Sequence, residues 1–282
     1  MLTMNTIKII SKIKQLISQS FKEQYGFLVH PKRTYKMITS RVHPEPIFIL
    51  GEAKSGTTAI ASLLSQVSGQ QVTIDLIYRI KRSPKAHILN KLYSRELPFH
   101  DFVQAYKFYF STPLNKCPNF VSFYDELCSC FPKAKFIFIV RDPRDNIRSL
   151  LNRRQVPGNL KSFPGKEYYQ LKSFTDRSLA GNNYIEKMAH HWNLTVQKYI
   201  DHENNMVLIR YEDFMLDKVG SISNLAKQVG LNPINDITEY LDIQYQPRGN
   251  REISWQDFFG QTNLGSIEAI CGERMDYFGY SC

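Results

Sequence analysis

Three short apolar runs punctuate the chain: Ile47-Phe48-Ile49-Leu50, Phe136-Ile137-Phe138-Ile139-Val140 and Met206-Val207-Leu208-Ile209. None is interrupted by a polar residue. Runs of this length, rich in β-branched and aromatic side chains, predict strands buried on both faces; one-sided strands would alternate. Pro44 and Pro46 precede the first run and Gly51 bounds it. Elsewhere the apolar spacing changes to that of a helix, over about 57–67, 121–130, 145–154, 184–199 and 221–229. Pro132 stops the second of these helices. A further short strand is expected at Val72-Thr73-Ile74. Apolar strands alternating with helices define an α/β class, here one domain over 44–282 with a central parallel sheet flanked by helices.

Two regions depart from that pattern. In residues 1–25, Ile10, Ile13, Ile17 and Phe21 fall on one helical stripe, with Lys8, Lys12, Lys14 and Lys22 around it. Residues 1–43 are therefore expected to be an amphipathic helix and connector. The helix would pack on the domain, join a second copy in a homodimer, or lie on a membrane surface through its basic face. Residues 155–181 carry Pro157, Gly158, Pro164, Gly165 and Gly181 and read as a loop, long enough to be a lid, a binding loop or a flexible segment.

Composition narrows the class. With 43% hydrophobic and 13% aromatic residues, the chain has ample apolar surface to bury and is not disordered. It has no run of about 18 apolar residues that would predict a membrane-spanning helix. Lys+Arg number 36 and Asp+Glu 26, a net charge of +10, which points to an anionic ligand or surface without saying which. No recognition-helix, zinc-finger or RNP-like pattern supports nucleic acid. The five cysteines, Cys117, Cys128, Cys130, Cys271 and Cys282, are odd in number and scattered. They read as free thiols in a reducing, cytoplasmic setting. The lone C-x-C lacks the second ligand pair of a zinc site, so no metal is expected.

The candidate chemistry sits where strands meet helices. Gly51-Glu52-Ala53-Lys54-Ser55-Gly56-Thr57-Thr58 joins the first strand to a helix, and backbone N–H groups in such a turn bind anions. Gly51, Gly56 and Thr58 match the spacing of a nucleotide-kinase P-loop, G-x-x-x-x-G-K-[ST], but its Lys position holds Thr57. The cation lies earlier, at Lys54. That displacement argues against the alternative, a P-loop nucleotide or sugar kinase using ATP–Mg. After the second strand comes Arg141-Asp142-Pro143-Arg144-Asp145-Asn146-Ile147-Arg148-Ser149. A cation at the carboxyl end of a parallel strand is placed for a ligand, and Ser149, two helical turns on, can face the same one.

These two motifs together resemble the sulfotransferases that use 3′-phosphoadenylyl sulfate (PAPS). The resemblance extends to Val207-Leu208-Ile209-Arg210-Tyr211-Glu212-Asp213-Phe214, similar to a family strand ending in Y-E-D. The tail Ile267–Tyr280 is similar to the C-terminal helix of bacterial and glycan-modifying members. It covers about residues 44–280.

The resemblance implies a P-loop-type fold and sulfuryl transfer to an acceptor hydroxyl, with PAPS as co-substrate and adenosine 3′,5′-bisphosphate (PAP) as product. Lys54, Ser55, Gly56, Thr57 and Thr58 would hold the 5′-phosphosulfate, Arg141 and Ser149 the 3′-phosphate. Tyr211 would approach the adenine end, and Arg248 would complete the nucleotide site. Lys54 would also neutralise charge on the bridging oxygen. The His base of small-molecule branches has no counterpart in Lys116-Cys117-Pro118-Asn119. Glycan- and tyrosine-modifying branches use a Glu soon after the loop helix, and the nearest position here is Asp75. Asp75 is thus the leading base, His100 and the segment near Lys116 follow, and Lys116 would serve as a second cation. Basic and aromatic residues in 76–115 would suit a glycan or glycolipid acceptor, and the membrane contact would be peripheral.

Overall fold

A computed structural model describes residues 39–81, 87–161, 180–245 and 253–281. The N-terminal helix expected over 1–25, Arg248, Cys282 and most of the 155–181 loop lie outside these. The elements in chain order are β1 (Ile47–Gly51), α1 (Thr57–Ser68), β2 (Val72–Ile74), α2 (Leu76–Lys81), α3 (His87–Tyr93) and α4 (Phe99–Ala105). They continue with β3 (Leu114–Lys116), a 3-10 turn (Pro118–Phe123), α5 (Tyr124–Cys130), β4 (Lys135–Val140) and α6 (Pro143–Arg154). The last are α7 (Tyr184–Ile200), β5 (Met206–Arg210), α8 (Tyr211–Leu216), α9 (Lys218–Gln228) and α10 (Trp255–Tyr277).

The five strands form one parallel sheet in the order β2-β3-β1-β4-β5. The uninterrupted apolar runs have the expected cause: successive side chains feed two cores. Phe48 and Leu50 of β1 and Phe136, Phe138 and Val140 of β4 join the cluster under α2–α5, α7 and α10. Ile47, Ile49, Ile137 and Ile139 join the cluster under α1 and α9 on the other face. Alternation is present, but both directions are apolar because both faces are covered.

The chain runs from β1 out to β2, returns through β3, then crosses to β4 and β5 on the other side. The carboxyl ends of β1, β3 and β4 therefore converge where the winding reverses, the place for a ligand in an open α/β sheet. Two features went unforeseen. β3 is three residues long, between Pro113 and Pro118, too short for a period-2 signal. The aromatic run from Tyr106 to Phe110, expected near the acceptor, has Phe110 buried against Phe102, Phe120 and Phe131, where it builds core.

Candidate active site

The loop after β1 makes its turn with glycines at its ends. Gly51 has φ 132°, and a Cβ there would lie 2.3 Å from the carbonyl oxygen of Ile139 on β4. Gly56 has φ 81°, and a Cβ there would lie 2.4 Å from the Tyr211 ring. Gly56 also precedes α1 without supplying a side-chain cap. The first amides of α1 are thus left to whatever binds in front of them, with the positive end of the helix dipole behind.

Three elements hold this loop in place. From α6, buried Asn146 donates through Nδ2 to the Ala53 carbonyl at 2.9 Å and to Ser55 Oγ at 2.9 Å. From the end of β4, Arg141 donates to the Lys54 carbonyl at 3.0 Å. From α7, Thr195 and His191 reach Glu52 at 3.0 and 2.9 Å. Arg141 is itself fixed. Its guanidinium lies 4.5 Å over the Tyr211 ring and 3.3 Å from Asp145, and its carbonyl accepts from the Trp192 indole at 3.1 Å. Burial works against the Asp145 charge, but the Trp255 indole and the guanidiniums of Arg141 and Arg148 hold its carboxyl below the usual range.

The cations cluster at the strand ends. Lys54 is affected by its own burial and by the charges of Arg153, Arg141 and Lys116, which together push its ammonium down to about 8. Lys116, at the end of β3, is almost fully buried and forms a 2.7 Å ion pair with Asp75 at the end of β2. The Asp75 amide also donates to the Lys116 carbonyl at 2.8 Å, so backbone and side chain lock the two strand ends together. Lys54 and Asp75 both have left-handed backbone, φ 74° and 53°. Such strain in non-glycine residues concentrates at functional sites.

The structure thus brings together Lys54, Ser55, Gly56, Thr57, Arg141, Tyr211, Lys116 and Asp75. Thr57 is buried and Thr58 half-buried in the first turn of α1. Ser149 lies one helical turn beyond Asp145, which bonds Arg141, and so shares the face of α6 that Arg141 approaches. His100 does not join them: it is exposed on α4, with its Nδ1 3.3 Å from the neighbouring Asp101. Sequence reasoning missed Asn146 and Glu52 as parts of the site, although both lie inside the quoted motifs. The overlooked signal was an acid in a loop otherwise suited to anions.

The parallel α/β sheet thus carries a glycine-bounded loop after β1 and a second, cationic turn after β4. A family model described as the Sulfotransferase family matches residues 46–236, and the chain belongs to that family. It is a sulfotransferase, not favoured as a kinase.

One solved structure agrees in fold, and two others are similar at lower TM-scores. Sulfotransferase STF9 from Mycobacterium avium is 15% identical, with 92% of this chain and 81% of that one covered and a TM-score of 0.55. The sulfotransferase domain of the Synechococcus PCC 7002 olefin synthase is 15% identical, with 86% and 98% covered and a TM-score of 0.48. Mouse sulfotransferase SULT7A1, complexed with PAP, is 16% identical, with 84% and 86% covered and a TM-score of 0.47. No curated protein shows a significant match to the sequence. Among the described residues, no helix is long and apolar enough to cross a membrane.

Proposed function

We propose that this sulfotransferase uses PAPS as donor and that Asp75 is the base for the acceptor hydroxyl. The observation that carries this reading is the row Asp75–Lys116–Lys54–Arg141 along the ends of β2, β3, β1 and β4, beside the uncapped first turn of α1. The residues present fit such a donor: Nε of Arg141 is buried with no hydrogen-bond partner among the described residues, as a group awaiting an acceptor oxygen would be. The amides of 56–58 and Lys54 would take the 5′-phosphosulfate, Arg141 and Ser149 the 3′-phosphate, and Tyr211 the adenine side. Arg248 would complete that side.

In sulfuryl transfer the protein's contribution is positioning and charge stabilisation, as in phosphoryl transfer. Asp75 uses one oxygen for Lys116. Its other oxygen is left to take the acceptor proton, while the Lys116 ion pair holds the carboxylate in place. Lys54 neutralises charge on the leaving oxygen. The acceptor is read as a glycan or glycolipid hydroxyl, supported by the basic and aromatic character of 76–115. Incubation with sulfur-35-labelled PAPS and a panel of glycans, glycolipids, phenols and peptides tests this. Label in a glycan-type acceptor is expected; label only in phenols or peptides would overturn the acceptor class, and no transfer to any would overturn the donor.

Lys54 also sets a pH dependence. Its ammonium is lost as pH rises through about 8 in the free enzyme. The kcat/KM for PAPS, which reports free-enzyme groups, should therefore fall above about pH 8. A flat profile up to pH 10, near the usual lysine value, would contradict the role.

A further inference from the structure

Glu52 is an anomaly in an anion-binding loop. Its carboxylate is buried, 7% exposed, inside the turn that faces the donor's negative charge. It is nevertheless fully engaged. Oε1 accepts from the Ala53 amide at 3.0 Å, Oε2 accepts from Thr195 Oγ1 at 3.0 Å, and His191 Nδ1 lies 2.9 Å from Oε2. A carboxylate held this way ties the loop to α7. It also places a negative charge under the phosphosulfate site, which weakens donor binding unless a cation offsets it.

We infer that Glu52 is a positioning residue for the phosphate loop and that the proton on His191 is what makes its charge compatible with donor binding. The inference rests on the donor reading above and adds a control over it. His191 stands where this requires: on α7, one turn before Thr195 and next to Trp192, whose indole bonds the Arg141 carbonyl. One stretch of helix thus buttresses both anion-binding turns.

The surroundings of His191 fix the sign. Glu52 raises its imidazole above the ordinary histidine range, while burial and Arg154 of α6 pull the other way. On its own helix Lys187 stands one turn before it. The turn Pro118–Phe123, also packed on α7, has no ionisable side chain. Helix α10 meets α7 at Asn193, Ala189 and Gln197, the last through Arg274. With its pKa raised, His191 carries its charge below its ordinary value and loses it as pH rises through the higher one. Glu52 then keeps its bonds from Ala53 and Thr195 and the charge of Arg154 but loses its charged His191 partner, and donor affinity falls.

Calorimetric titration of PAP into the wild-type protein, His191→Gln, Glu52→Gln and the double variant, each across pH 6 to 9, tests this. His191→Gln is expected to weaken PAP on the order of tenfold at pH 6.5, the size of one partly screened charge. It should also remove one of the two falling limbs, leaving the one assigned to Lys54. Glu52→Gln should lose the falling limb that depends on His191, since a neutral amide needs no cation. The double variant should recover the affinity lost in His191→Gln, a non-additive result that simple structural damage would not produce. Wild-type PAP affinity in His191→Gln, or losses that add in the double variant, would overturn the inference. Failure of the wild-type protein to bind PAP at any pH would instead overturn the donor reading.

Discussion

Replacing Asp75 by Asn should lower kcat on the order of 10²-fold or more while leaving PAP affinity unchanged. The substitution keeps shape at the end of β2 and removes the carboxylate charge, and with it the ability to accept a proton. The strand ends stay joined, because the Asp75 amide still donates to the Lys116 carbonyl. The Lys116 ammonium, almost fully buried, loses its ionic partner but keeps the amide oxygen to bond. A donor-binding defect without a rate defect would reassign Asp75 to structure. A full-rate enzyme would remove it from the chemistry and leave Lys116 and the loop as the machinery.

Lys54→Met should cost more of kcat/KM for PAPS than any other loop substitution, on the order of 10²–10³-fold, the usual loss when one preorganised charge-stabilising group is removed. The side chain would be lost without disturbing the loop's anchor, since Arg141 bonds the Lys54 backbone carbonyl and not its ammonium. The left-handed backbone at Lys54 is not relieved by Met, so folding should change little. PAP should bind more weakly in the same variant, because the ammonium acts on the phosphate end of the donor. Kinetics and calorimetry on Lys54→Met and Lys54→Arg check both statements. Arg keeps the charge and should recover part of the affinity, with less of the rate. Equal recovery of both would point to a diffuse charge effect instead of a positioned one.

The parts of this site that the sequence made legible share a physical property. β1 and β4 announce themselves because both faces of the sheet are covered, so every position must be apolar. The anion loop is legible because backbone needs leave a mark: only glycine tolerates the approach of Ile139 at Gly51 and of Tyr211 at Gly56. Arg141 was readable as a charge immediately after a buried strand. What was not legible depends on partners distant in the chain. Asp75 came from the family resemblance alone, and its ion pair with Lys116 arises because β3 inserts between β2 and β1. Glu52 has no signature of its own in the loop; α7 supplies His191 and Thr195 from more than a hundred residues away. His100, attractive as a histidine near an expected acceptor region, proves to be a helix-surface residue beside Asp101.

A PAPS site formed by Lys54, Arg141 and the uncapped turn of α1 should respond to the donor's product. The most direct measurement is the thermal unfolding shift with PAP, set against ATP–Mg and a short oligonucleotide. Ligands that bind only the folded state stabilise it in proportion to occupancy. A saturable rise in Tm with PAP is expected, reduced in Lys54→Met and Arg141→Ala, with no comparable rise with ATP–Mg or the oligonucleotide. Equal stabilisation by ATP–Mg, or none by PAP, would contradict it.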